Sequence, residues 1–309
     1  MNVPVAVIVF NRPKHTREVF AALRLVRPAE LFVIADGPRP EVSADNALCA
    51  EVREVVSEVD WPCTVHRNFA DSNLGLKERV SSGLSWVFDN VDRAIVLEDD
   101  CVAHPDFFRF CESLLERYAD DDRVSVITGN NFQQGRRRGE ASYYFSRYNH
   151  CWGWATWRRA WRQYNGDIDF WPEWKNSDSW RATLPDPVER RYWSAIFDDV
   201  RAGKINSWAY PWTASVWFHD GLTATPQVNL VKNIGFDDAA THTAGRRPSG
   251  SASEFEALGP ISHPTDVLRK DVADRFVFNQ HFGGRFYRFP WSPLRGALSL
   301  AKRLRASLR

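Results

Sequence analysis

The stretch Ala94-Ile95-Val96-Leu97-Glu98-Asp99-Asp100 carries four apolar residues straight into three consecutive carboxylates. An apolar run of this length, without polar alternation, predicts a strand buried on both faces. Three adjacent acids at its end repel one another and are costly unless solvent or a cation compensates them. A solvated surface turn would tolerate such a triplet. A buried strand before it and a phenylalanine-rich helix after it point instead to a site.

The residues on either side supply the frame. Residues 3–9 are apolar and β-branched, a second buried strand that ends at Asn11-Arg12-Pro13. Thr16 suits the cap of a helix carrying Val19, Phe20, Leu23 and Val26 at helical spacing. Residues 31–35 predict another strand, closed by the turn signal Asp36-Gly37-Pro38. A helix is expected over 43–59, a short strand over 63–66 and a helix over 77–91. Pro105 suits the first turn of a helix with Phe107, Phe108, Cys111, Leu114, Leu115 and Tyr118 facing the core, and residues 124–128 predict a further strand. Alternating strands and helices predict an α/β fold, a mainly parallel sheet with helices on both faces. Ligands of such sheets bind beyond the carboxyl ends of the strands. Asn11, Arg12, Asp36 and Glu98-Asp99-Asp100 all fall at those ends.

Composition narrows the function. The chain of 309 residues has 40 basic and 39 acidic side chains, a net charge of +1, so no global field directs it to nucleic acid. No apolar run approaches the roughly 18 residues that cross a bilayer, and no secretory leader is evident; the expectation is a cytoplasmic protein. Five scattered cysteines without a C-x-x-C pair predict reduced, mostly buried thiols. Eleven of 14 tryptophans lie between Trp152 and Trp217, marking a compositionally distinct second half. Residues 246–253, RRPSGSAS, predict a mobile loop.

A hard divalent ion, Mg²⁺ or Mn²⁺, suits oxygen ligands such as the triplet and shares phosphate oxygens with a substrate. Strand alternation predicts Glu98 and Asp100 on one side and Asp99 on the other. The segment from Val96 to Phe108 resembles the acidic-motif segment of the GT-A N-acetylglucosaminyltransferase that initiates complex N-glycans, down to Pro105-Asp106-Phe107-Phe108. Val7-Ile8-Val9-Phe10-Asn11-Arg12 is similar to that family's first strand and phosphate-binding arginine. Cys151-Trp152-Gly153-Trp154-Ala155-Thr156-Trp157 looks like its acceptor-side loop. The chain also resembles bacterial sugar transferases of polysaccharide clusters, through the same tryptophan loop, Trp208-Ala209-Tyr210-Pro211-Trp212 and Asn229-Leu230-Val231-Lys232-Asn233-Ile234-Gly235-Phe236.

The resemblance implies a GT-A fold, with residues 1–130 as the nucleotide-sugar half, 131–288 as the acceptor half of the same domain and 289–309 as a tail. It implies that Asp100 binds the metal, Asp99 faces the ribose and Glu98 supports the nucleoside. Arg12 would meet the diphosphate, suited by its planar guanidinium. Asp36 would accept from a uracil N–H. Asn73 and Gly75 would lie beside the nucleotide, with Lys77 as a basic residue in reach of phosphate. His242 would add a late metal or phosphate contact. The donor implied is a UDP-sugar, UDP-N-acetylglucosamine being one candidate, and the acceptor a glycan or lipid-linked glycan.

Transfer with inversion needs a carboxylate to take the acceptor's proton. The candidates are Asp198 and Asp199, with Asp199 first because the related family uses the second aspartate of an aromatic-Asp-Asp. Against this stands the plain reading, an exposed helix end. Tryptophan faces stack on sugar C–H surfaces. Trp152, Trp154, Trp208 and Trp212, with Gly153, are the acceptor-side candidates, although each taken singly also suits a core. From residue 293 onward Leu294, Ala297, Leu298, Ala301, Leu304 and Leu308 alternate with arginine and lysine. This basic amphipathic pattern suits either contact with the inner membrane surface or docking on the chain's own domain. A sugar-1-phosphate nucleotidyltransferase would need a glycine-rich loop after the first strand, and Phe10-Asn11-Arg12-Pro13 has none. A carbohydrate-binding protein would use the tryptophans but have little need of the acids.

Overall fold

The computed structural model describes residues 1–236 and 256–289. In β1 (Val5–Val9) every residue is buried, with Val5, Val7 and Val9 in one apolar layer and Ala6 and Ile8 in the other. Strand alternation thus feeds two cores, one on each face. Then follow α1 (Pro13–Val26), β2 (Glu30–Ala35), α2 (Ala44–Val55), β3 (Thr64–Phe69), α3 (Leu76–Asn90), β4 (Arg93–Glu98), β5 (Cys101–Ala103), α4 (Pro105–Arg117) and β6 (Val124–Thr128). The second half contributes β7 (Tyr143–Ser146), β8 (Trp154–Trp157), the short helices α5 (Arg158–Trp161), α6 (Trp171–Trp174) and α7 (Asp178–Thr183), then α8 (Pro187–Arg201) and α9 (Ala209–Phe218). β9 (Leu222–Pro226), β10 (Val231–Asn233), α10 (Asp271–Gln280) and a 3-10 turn at Gly284–Tyr287 complete the described chain.

The main sheet has eight strands in the order β3-β2-β1-β4-β8-β6-β9-β7. β3, β2, β1 and β4 are mutually parallel, while β8 runs antiparallel between β4 and β6. The α/β class expected from the sequence is what the chain adopts, with the parallel region confined mainly to its first half. Strands from both sides of residue 130 share the one sheet. One face is covered by α1, α2 and α4 through Val19, Phe20, Val52, Phe107 and Leu114. The other is covered by α3 and the tryptophan-rich helices.

Boundaries moved for local reasons. α1 begins at Pro13, three residues before the expected cap, because proline is preorganised for the first helical position. Thr16 instead lies inside the helix and returns its hydroxyl to the Arg12 carbonyl at 2.8 Å. α2 spans Ala44–Val55 rather than 43–59, and β3 runs to Phe69 as a half-exposed edge strand. Among the described residues no helix is long and apolar enough to cross a membrane. His242, the loop at 246–253 and the tail from 290 lie outside the described residues.

Candidate active site

β1 and β4 are parallel neighbours with Ile8 opposite Glu98, so the residues leaving both strands emerge side by side. The Phe10 N–H donates to Asp99 Oδ2 at 3.4 Å. Arg12 Nη1 donates to Asp100 Oδ2 at 3.0 Å and lies 3.8 Å from Asp99 Oδ1. One guanidinium therefore serves both aspartates. The expected alternation of Asp99 and Asp100 to opposite sides does not hold, because β4 ends at Glu98 and the two aspartates form a turn.

Three carboxylates share this corner with Arg12. Burial, followed by the neighbouring Asp100 charge, pushes the Glu98 and Asp99 carboxyls well above the ordinary carboxylate range, and Arg12 offsets only part of this. Among the described residues, the acids at this corner outnumber the cation that meets them.

A second strand end closes the opposite wall. Asp36, just beyond β2, is buried and accepts from the Gly37 and Leu74 N–H groups through Oδ1, at 2.8 and 2.9 Å. Its Oδ2 accepts from Asn73 Nδ2 at 3.0 Å and the Gly75 N–H at 3.2 Å. Asp36 thus ties the loop before α3 to the end of β2, and Asn73 and Gly75 are held where they face the cleft.

These walls bound a cleft of about 470 Å³, lined by Arg12, Asp36, Asn73, Gly75, Glu98, Asp99, Asp100 and Trp152 among others. Asn11 does not line it; its Nδ2 donates to Asp45 Oδ1 at 2.8 Å, joining an Arg39–Asp45 ion pair of 2.6 Å. Lys77 is likewise absent from the lining and pairs with Asp167 at 3.0 Å. Among the described residues, Arg39 and Arg79 also bring cations to the cleft, and neither is among the candidates from the sequence. Arg79 is almost wholly buried, donates to Asn68, and has its Nε without a hydrogen-bond partner. Burial pulls its pKa down. Helical spacing was a usable signal, since Leu76, Arg79 and Val80 fall on one face and all three line the cleft.

The remaining wall comes from far along the chain. β10 pairs antiparallel with β5 and brings Asn233, Gly235 and Phe236 to the acids. Asn233 Nδ2 donates to Asp100 Oδ1 at 3.2 Å, and the Ile234 N–H donates to the Asp100 carbonyl at 2.8 Å. A Cβ on Gly235 would lie 2.0 Å from Asp100 Oδ2, so only glycine permits this approach.

The tryptophans divide. Trp152 is half-buried, lines the cleft and meets Phe236 edge-on at 5.3 Å. Gly153 follows with φ +68°, its backbone pressed against Val231, where a side chain would collide. Trp154, Trp208 and Trp212, expected at the acceptor, are instead core. They are at most 2% exposed and pack on one another, with centroids of Trp154 and Trp208 at 5.7 Å and of Trp154 and Trp212 at 5.9 Å. They have no free face to offer a sugar.

Neither Asp198 nor Asp199 lines the cleft. Asp198 accepts from Trp171 Nε1 at 2.9 Å and from Lys175 Nζ at 2.9 and 2.7 Å, so both oxygens are held on the outer side of α8. Asp199 is half-exposed and pairs with Lys204 at 3.1 Å. Asn206, shortly after α8, does line the cleft.

No protein-family model and no curated sequence matches this chain. Its structure has similarity to a putative nucleotide-diphospho-sugar transferase from Desulfovibrio desulfuricans G20, at 14% identity over 82% of this chain and 94% of that one, with a TM-score of 0.35. It is similar to a mannosyltransferase from Pyrobaculum calidifontis, solved with GDP-Man and Mn²⁺, at 11% identity over 70% of each chain and a TM-score of 0.40. A cytidylyltransferase from Leptospira borgpetersenii is matched at 12% identity over 53% of this chain and 63% of that one, with a TM-score of 0.32. The chain spans less than two thirds of that enzyme's length.

Proposed function

We propose that the chain is a glycosyltransferase of the GT-A kind that takes a sugar from a nucleotide-diphosphate donor. The observation that carries the reading is the convergence of Arg12 with Glu98, Asp99 and Asp100 at the ends of β1 and β4, facing a cleft whose far wall is the Asp36 loop. A cleft with an arginine and surplus acids at one end and a loop rich in backbone groups at the other suits a ligand with a diphosphate and a base.

Among the described residues no group of three His, Cys, Asp or Glu side chains is arranged to hold a metal unaided. The surplus negative charge and the Asp100 carboxylate nevertheless fit Mg²⁺ or Mn²⁺ held by one carboxylate, waters and diphosphate oxygens, the coordination such ions favour beside nucleotides. When bound, the ion would neutralise charge on the departing diphosphate. Arg12 would share that role, Asp99 would meet the ribose and Glu98 would support the nucleoside. Asp36, Asn73 and Gly75 would flank the base, which we take to be uracil, and His242 is kept as a further ligand to test.

In the proposed step an acceptor hydroxyl oxygen bonds to the anomeric carbon as the bond to the diphosphate oxygen breaks, with inversion. The hydroxyl proton passes to a carboxylate. Neither aspartate lines the cleft, Asp198 being held by Lys175 and Trp171 and Asp199 by Lys204; Asp199 is the base we put forward, which requires that it leave Lys204 and reach the cleft when an acceptor is bound. Trp152 and Phe236 would bound the sugar side. Bacterial surface polysaccharide, built on a glycan or lipid-linked acceptor, is the proposed setting, with UDP-N-acetylglucosamine as first donor to try. The test is a screen of UDP-, GDP- and dTDP-sugars for slow donor hydrolysis with Mn²⁺ present. Release of nucleoside diphosphate from one donor class, lost in Asp100→Ala, is expected; no release from any donor would overturn the reading.

A further inference from the structure

The described chain exposes six large hydrophobic side chains, and four of them fall between residues 268 and 289: Leu268 (65%), Val272 (64%), Phe286 (42%) and Phe289 (86%). These exposed residues are interleaved with cations. Lys270, Arg275 and Arg285 belong to the same segment, and all are exposed or half-exposed.

The surface can be traced contact by contact. Arg136 lies over the Phe276 ring of α10 at 4.4 Å and Arg138 lies over it at 5.3 Å. Val272, Arg275, Phe276, Asn279 and Gln280 share one side of that helix by their spacing. At the helix end Arg285 Nη1 donates to Gln280 Oε1 at 3.1 Å and covers the Phe286 ring at 4.6 Å. At the other end Arg138, Leu268 and Lys270 line one hollow of about 430 Å³ beside β7, together with Glu140 and Asp266. The one exposed acid on α10 next to this side, Asp271, is paired with Arg269. For a chain of net charge +1, this is a pronounced local excess of positive charge.

We infer that this side of α10, with the Arg136–Arg138 loop and the Gly284–Tyr287 turn, docks on an anionic lipid surface. Exposed Leu, Val and Phe flanked by arginine are what an interfacial surface needs: apolar tips to enter the acyl boundary and cations to meet phosphates. Nucleic acid would be served by the cations but leaves the four apolar tips unexplained. Residues 290–309 carry five basic residues and no acid, so an anionic surface suits their charge as it suits this side of α10. The inference does not depend on the donor chemistry.

The test is flotation of the full-length chain with vesicles of phosphatidylcholine alone or with 30% phosphatidylglycerol. Two surface variants accompany it, Val272→Ser/Phe286→Ser and Arg136→Glu/Arg275→Glu, each checked for unchanged thermal melting. Recovery that requires phosphatidylglycerol and drops at least fivefold in both variants is expected. Wild-type recovery of both variants would assign binding to the tail and overturn the inference, as would equal recovery on phosphatidylcholine alone. Tighter binding of a 20-nucleotide oligo-dT than of the vesicles, weakened by the arginine variant, would overturn it in favour of nucleic acid. Donor hydrolysis would remain in these variants, so its loss or retention reports on the other reading.

Discussion

Asp36 accepts four hydrogen bonds, three from Asn73, Leu74 and Gly75 in the loop before α3 and one from the neighbouring Gly37 N–H. A buried donor left without a partner costs about 1–3 kcal/mol. Asp36→Ala should therefore lower stability by about 3 kcal/mol and weaken nucleotide binding, measured by urea unfolding and calorimetry; an unchanged unfolding midpoint would contradict the bracing role. Asp45 makes a pH prediction. Arg39, and then Asn11, hold its carboxyl down to about 2 against the pull of burial. A depressed folded pKa gives stability that is full above the unfolded value of about 4 and is lost as pH falls towards 2. Asp45→Asn should flatten that acid limb in a melting series from pH 5 to pH 2, while above pH 5 both proteins should follow the same pH dependence.

At the scale of elements, the motif Trp152-Gly153-Trp154 holds two tryptophans with different fates. Trp154 opens β8 and is sealed in the second core, while Trp152 precedes the strand and reaches the cleft. Trp154→Ala should cost about 3–5 kcal/mol. Trp152→Ala should cost no more than about 2 kcal/mol and act mainly on sugar binding. Equal destabilisation in chemical unfolding would contradict this division. α8 gives the other test: Asp199→Asn should keep nucleotide binding and lose turnover, whereas Asp198→Asn should lose only its tie to Lys175 and Trp171. Retained turnover in Asp199→Asn would move the base elsewhere.

These elements also mark what could be read in the sequence. The buried strands and their order along the chain follow from local apolar runs, and parallel pairing then forces Arg12 and the acidic triplet to one edge. Whether a tryptophan is covered depends on helices that arrive from elsewhere, so although each singly suits a core, nothing local separates the sealed Trp154, Trp208 and Trp212 from Trp152, which reaches the cleft. Asn233 and Gly235 reach Asp100 through pairing of β10 with β5, across 133 residues in the case of Asn233. No spacing rule within a segment encodes that contact. Lys77 and Arg79 differ only in helix phase, and the apolar period through Val80 and Leu84 favoured Arg79.

For the molecule as a whole, two long-range facts set the cleft. The sheet places the strand ends of its parallel half along one rim, and the second half returns through β10 to close that rim beside Asp100. The gathering of Arg12 and three acids at one corner is the property on which the enzyme reading rests. Calorimetric titration of UDP into the full chain, with and without Mn²⁺, tests it most directly. Binding at least about tenfold tighter with Mn²⁺, or about 1.4 kcal/mol, and falling to the metal-free level in Asp100→Ala, is the predicted result; equal affinity with and without the ion would contradict it.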